Sequence, residues 1–192
     1  MNLPNKISTI RLLLIPVFAV IFYVGFTGHY IVAAAVFAIA ALTDFLDGQI
    51  ARKYNMVTDL GKFLDSSADK VLVLAALVLA VDAHLIPFIW GGVFTAIIIA
   101  REIMVSCLRM IAASKGVVMA ADKLGKWKTF LQDTGLIVLI FSGHFLTLNG
   151  GAGDFGRVLN WIGFGIIAAS VLMTIVSGVH YFIVNKQVLA QK

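Results

Sequence analysis

Four aspartates stand in two closely spaced pairs: Asp44 and Asp47 are three residues apart, and Asp65 and Asp69 are four apart. On a helix, spacings of three and four put both members of a pair on one face. Two antiparallel helices joined by the segment around Asn55 to Asp59 would bring all four carboxylates to one point. Both pairs adjoin apolar runs, Tyr30 to Leu42 before the first and Val71 to Val81 after the second. An ionised aspartate near the middle of a bilayer costs about 2.5–3.5 kcal/mol on insertion scales, and four together repel one another. Positive charge must offset both effects. Carboxylate oxygens suit hard divalent cations such as Mg2+ or Mn2+, and the arrangement suggests two ions about 3.5–4 Å apart. No His or Cys is close enough in sequence to favour zinc. Two such ions serve displacement at phosphorus.

The plainer reading is that these acids cap helices, pair with Arg52 and Lys70, or line an ion path. One intramembrane aspartate would fit it well; four at helical spacing, interleaved with Gly48, Gly61 and Arg52, favour a metal site. Gly48 and Gly61 lack side chains, so a flat ligand or another backbone could approach closely; packing through small residues is the alternative. Arg52 offers a planar fork suited to a pyrophosphate, or is a surface anchor.

Positioning these residues requires elements that tolerate lipid. The chain has 192 residues, 60% hydrophobic and 13% charged, with mean hydropathy +0.98. A soluble domain carries about 25% charged residues. Unbroken apolar runs, rather than ten-residue alternation, exclude a β-barrel. Six candidate spans run from about 7 to 26, 30 to 53, 60 to 81, 86 to 113, 127 to 148 and 158 to 184. The expected architecture is all-α: an integral membrane bundle of six transmembrane helices, with residues 1–192 forming a single catalytic domain. Gly28-His29, Asp82-Ala83-His84 and the segment 149–154 supply turn chemistry. With a cytoplasmic N-terminus, Arg157 alone of the 15 basic residues falls outside, as the positive-inside bias demands. That bias also accounts for the net charge of +5 without a nucleic-acid partner. The first apolar stretch is read as a retained helix, not a cleaved signal. The single cysteine, Cys107, excludes an intramolecular disulfide.

The pattern Asp44-x-x-Asp47-Gly48-x-x-Ala51-Arg52, eight residues, then Gly61-x-x-x-Asp65-x-x-x-Asp69 resembles the signature of the CDP-alcohol phosphotransferases. The resemblance implies a six-helix membrane fold, a homodimer, a CDP-linked donor and a hydroxyl acceptor. It further implies that Asp44 and Asp65 each bridge both metals, Asp47 binds the first and Asp69 the second. Asp69 would also accept the proton of the attacking hydroxyl. Gly48, Arg52 and Thr58 would contact the CDP part, here that of CDP-diacylglycerol, joined by Gly61 and by Asn5 and Thr9 of the opening segment.

That opening, Asn2-Leu3-Pro4-Asn5-Lys6-Ile7-Ser8-Thr9-Ile10-Arg11, resembles the same stretch of bacterial phosphatidylglycerophosphate synthases, as do Ala100-Arg101-Glu102 with Leu108-Arg109, and Gly125-Lys126-Trp127-Lys128-Thr129 with Gln132. These matches favour sn-glycerol 3-phosphate as acceptor. The cations at the inner ends of the fourth and fifth spans agree. Arg101, Arg109 and Lys126 are assigned to the acceptor phosphate, since a neutral acceptor would not require so many charges. Positive-inside topology and contact with anionic membrane lipids are the alternative for several of them. Rival functions are the same chemistry with inositol phosphate or phosphatidylglycerol as acceptor, and a divalent-metal transporter.

Overall fold

The computed structural model describes residues 3–53, 59–117, 123–148 and 153–186; within these, the side chains of 3–7, 44–53, 59, 60, 62, 63, 65, 66, 123 and 153 fall outside the description. Six α-helices make up the described residues: α1 Leu3–Tyr23, α2 His29–Lys53, α3 Asp59–Asp82, α4 Phe88–Ser114, α5 Lys123–Thr147 and α6 Gly153–Val184. Neighbouring pairs trace a ring in the order α1, α2, α5, α6, α4, α3 and back to α1, with α3 also touching α5 and α2 across it. α4 and α5 do not pack against each other along the described residues.

Small residues let the ring close. Ala33, Ala34, Ala40, Ala76 and Ala80 are buried in one apolar core with Phe18, Phe22, Phe37, Leu77 and Ile140. The α5–α6 contact is the tightest. A Cβ at Gly163 would lie 3.0 Å from the Leu139 backbone nitrogen, and one at Gly156 would lie 2.9 Å from Phe145 Cβ. Close helix approach through glycine is the usual device where lipid removes the hydrophobic drive between helices.

The outward faces are apolar too. Leu13, Val17, Ile39, Leu42, Val78, Ile89, Ile103, Met104, Phe130, Leu172, Val176 and Val179 are all exposed. Soluble monomers rarely show apolar patches on this scale. Three helical stretches, Phe88–Ser114, Leu124–Thr147 and Asp154–Val184, are long and apolar enough to cross a membrane, and Ser8–Tyr23 and His29–Thr43 are shorter apolar stretches.

The turns follow local chemistry. His84 takes φ 57° and closes α3, with its N–H bonding Val81 and the next N–H reaching back to Ala80. Gly116 (φ 72°) closes α4 identically, with bonds to Ala113 and, from Val117, to Ala112. Both are left-handed C-terminal caps, for which glycine is the easiest residue. α4 begins at Phe88, two residues later than the apolar pattern suggests. Pro87 is the cause, because the residue before a proline is pushed out of the helical region. α5 and α6 start earlier than their apolar runs, since polar turns extend each helix beyond its apolar window.

Candidate active site

The gap between α4 and α5 is a cavity of about 220 Å³, walled by α3 on one side and reached by Tyr181 of α6 on the other. α3 contributes Asp69, Lys70, Val73 and Leu74, the first two at helical spacing from the last two. α5 contributes Gly125, Lys128, Thr129 and Gln132, a helical face at steps of three and four, together with Lys126. Arg101, Glu102 and Arg109 enter from α4.

Five cationic side chains, Lys70, Arg101, Arg109, Lys126 and Lys128, and two carboxylates, Asp69 and Glu102, therefore line one space. The excess is positive, and the cavity suits an anion. Glu102 Oε1 gathers two of these cations: Arg101 Nη1 donates to it at 3.0 Å, and the Lys128 ammonium donates to the same oxygen. Lys128 is 5% exposed, so the charge stays with its partner, out of water. Arg101 also donates through Nη2 to Ser177 at 3.3 Å, and passes over Gly178, where a Cβ would come within 3.2 Å of its Cγ. Arg109 is oriented differently. Its Nε donates to the Tyr181 hydroxyl at 3.1 Å while the guanidinium lies over the Tyr181 ring. This leaves the terminal nitrogens of an exposed side chain at the cavity rim. Lys70 donates to Ser106 at 2.8 Å, tying α3 to α4.

Of the residues singled out in the sequence, Asp69, Arg101, Arg109 and Lys126 meet around this one space. Thr9 on α1 and Gly61 on α3 are described and half-buried but are not among the cavity's lining residues. Positions 44, 47, 48 and 52 stand on α2, position 65 on α3 and position 5 on α1. The side chains of Asp44, Asp47, Arg52, Asp65 and Asn5, and the surroundings of Gly48, lie outside the described residues, as does Thr58 altogether. Among the described residues no group of three or more metal-ligating side chains occurs, Asp69 being the one member of the aspartate set with a described side chain.

Several functional contacts had no role assigned from sequence. In the sequence, Glu102 figures only within the Ala100-Arg101-Glu102 match; its partner on α5 is 26 residues away. Lys128 is a buried ion-pair member rather than a topological cation. Tyr181 and Ser177 arrive from α6 and carry no local signal. Gly125, Thr129 and Gln132 stand out in the sequence only through a resemblance, though their spacing also puts them on one helical face.

Residues 1–176 match the family of CDP-alcohol phosphatidyltransferases. The chain is 38% identical over 200 residues to a CDP-diacylglycerol–glycerol-3-phosphate 3-phosphatidyltransferase of Bacillus subtilis (strain 168), covering 98% of this chain and 97% of that protein. Proteins of the same description match from Pseudomonas fluorescens, 43% identical over 143 residues with 73% and 72% coverage, and from Rickettsia bellii (strain RML369-C), 36% identical with 94% and 93% coverage. A family match over this length, joined to an anion-ready cavity at the last aspartate of the motif, means that the chain belongs to the CDP-alcohol phosphatidyltransferase family.

Proposed function

We propose that this protein transfers the phosphatidyl group of CDP-diacylglycerol to sn-glycerol 3-phosphate, giving phosphatidylglycerophosphate and CMP. The observation that carries this reading is the meeting of Asp69 with Arg101, Arg109 and Lys126 around one cavity. A carboxylate able to take a proton and cations able to hold a phosphate are what a phosphorylated alcohol needs in order to attack. The relatives' names, which specify this donor and this acceptor, agree.

In the reaction, the primary hydroxyl oxygen of glycerol phosphate bonds to the β-phosphorus of the donor, and the bond from that phosphorus to the CMP oxygen breaks. Asp69 accepts the hydroxyl proton. Arg101, Arg109 and Lys126 hold the acceptor phosphate and orient the hydroxyl. Gly48, Arg52, Thr58 and Gly61, with Asn5 and Thr9, receive the donor. Two divalent ions, Mg2+ or Mn2+, would be held by Asp44 and Asp65 in common, by Asp47 for the first and by Asp69 for the second. The donor set fits: it is all carboxylate, and the helices that carry it, α2 and α3, pack against each other. When bound, such ions supply Lewis acidity at the pyrophosphate and charge to neutralise departing CMP.

The same reading places residues 1–192 as one catalytic domain of six transmembrane helices in the cell membrane, as a homodimer, with the N-terminus and the site on the cytoplasmic side. The lipid donor's chains then remain in the bilayer while its cytidine reaches water. CMP release from CDP-diacylglycerol by the purified protein tests the function. It is expected to require both glycerol 3-phosphate and Mg2+ or Mn2+; release that ignores glycerol 3-phosphate would overturn the acceptor, and no release at all would overturn the reaction.

A further inference from the structure

Gln132 is 1% exposed and lines the cavity, yet its amide nitrogen is buried and donates to nothing. Folded proteins seldom leave such a donor unmet, and a water or a ligand is the natural partner where the protein supplies none. The neighbouring polar groups on its helix face are already engaged: Lys128 with Glu102, and the Thr129 hydroxyl with the Gly125 carbonyl at 3.1 Å. Nothing in α5 satisfies the amide.

The other side-chain donors of the cavity are mostly cationic and match a phosphate. Gln132 is neutral, and its amide both donates and accepts, which matches a hydroxyl. Its depth agrees. α5 lines the cavity with its N-terminal half and α3 with its middle. Asp69 lies ten residues into α3 and Gln132 nine residues into α5, about 15 and 13 Å along their axes. Lys126 lies only three residues into α5, about 4.5 Å. Gln132 and Asp69 thus both lie well inside their helices, and Gln132 is about 9 Å further along α5 than Lys126, whose side chain is exposed.

We propose that Gln132 hydrogen-bonds the secondary hydroxyl of glycerol 3-phosphate, next to the primary hydroxyl that Asp69 activates. It thereby selects a phosphorylated vicinal diol over an acceptor with a single hydroxyl. The proposal rests on the acceptor reading above.

The test compares glycerol 3-phosphate with 3-hydroxypropyl phosphate, which lacks only the secondary hydroxyl, in the CMP-release assay on the intact enzyme with CDP-diacylglycerol and Mg2+. The unsubstituted enzyme is expected to favour glycerol 3-phosphate by at least about tenfold in kcat/KM, the scale of one buried hydrogen bond. Gln132→Leu is expected to lower kcat/KM for glycerol 3-phosphate by a similar factor while barely changing the deoxy acceptor, so that discrimination collapses. Equal losses for both acceptors would overturn the proposal, as would equal use of both by the unsubstituted enzyme, a result that needs no variant. Should Gln132→Leu not fold, Gln132→Asn withdraws the amide by one methylene and is expected to weaken discrimination; undiminished discrimination would count against the role. Absence of glycerol 3-phosphate-dependent release in the unsubstituted enzyme is a separate outcome that removes the acceptor reading itself.

Discussion

Glu102 on α4 receives the Lys128 ammonium from α5 across the part of the ring where the two helices do not pack, and it receives Arg101 on the same oxygen. One carboxylate thus fixes two cations that line the cavity. Without it, two positive charges would face each other with little water to screen them. The pair ties α4 to α5 across the cavity.

Replacing Glu102 with Gln keeps the shape and removes the charge. Breaking a buried pair in this way costs about 3–5 kcal/mol as an upper range, because the surviving ion is left uncompensated. The thermal midpoint of the detergent-solubilised protein is expected to fall by several degrees. Adding Lys128→Met should recover part of that loss, since the double variant has no orphaned ammonium. An unchanged midpoint for Glu102→Gln would show that the bridge contributes nothing to stability.

Arg101 and Arg109 approach the cavity by different routes, one half-buried and bonded to Ser177 of α6, the other stacked on Tyr181. Both are expected to serve the acceptor phosphate. Arg101→Ala and Arg109→Ala should each raise the KM for glycerol 3-phosphate by about tenfold or more, the scale of a charge-assisted hydrogen bond. The KM for CDP-diacylglycerol should move less than about twofold. Tyr181→Phe removes only the hydroxyl that positions Arg109 Nε, so a smaller rise is expected. Parallel rises for donor and acceptor would argue against an acceptor subsite.

The α5–α6 contact offers a paired test on one helix. A Cβ at Gly163 would meet Leu139 backbone and side chain, whereas one at Gly165 meets nothing within 4 Å. Gly163→Ala is expected to destabilise by about 1–3 kcal/mol, the range for overpacking a close-packed interior. Gly165→Ala should be neutral or slightly stabilising, as Ala favours helix over Gly. Thermal midpoints of the two variants check this, and equal midpoints would mean the helices can move apart without cost.

These residues also mark how far the sequence was legible. Asp44, Asp47, Asp65 and Asp69 could be read as a set because helical spacings of three and four put each pair on one face, while the meeting of the two pairs lies outside the described residues. Arg101 and Arg109 were visible because a guanidinium inside an apolar run is hard to explain by topology alone. The α3–α4 turn was legible from Asp82-Ala83-His84, and α4's start was missed by two residues only because Pro87 constrains the residue before it. By contrast, Tyr181 and Ser177 join Arg109 and Arg101 across 72 and 76 residues, a relation that no local pattern encodes. Lys128 looked like one more inner cation. Its burial depends on which helices are neighbours in the ring, a property of packing and not of composition.

Asp69 is the one residue assigned to both halves of the site, a proposed metal ligand and the proposed base. Asp69→Asn keeps the volume but can no longer take a proton. CMP release is expected to fall by at least about three orders of magnitude, within the span of general-base effects. Helical circular dichroism should be unchanged, because the substitution is nearly isosteric. Activity close to that of the unsubstituted enzyme would remove Asp69 as the base.

The remaining prediction concerns the metal. Carboxylates placed beside apolar helix segments repel one another and resist ionisation unless cations neutralise them. Thorough chelation is therefore expected to stop CMP release, and either Mg2+ or Mn2+ added back should restore it, while Zn2+ should serve poorly at an all-oxygen site. Stability supplies an independent readout. A ligand bound only by the folded protein raises the thermal midpoint in proportion to its occupancy, so added Mg2+ should shift the midpoint upward in the unsubstituted protein. Asp44→Ala combined with Asp65→Ala should abolish that shift, since these two positions are assigned to both ions. Catalysis that survives chelation, or a Mg2+ shift that persists in the double variant, would show that the four aspartates do not hold the ions the reaction uses.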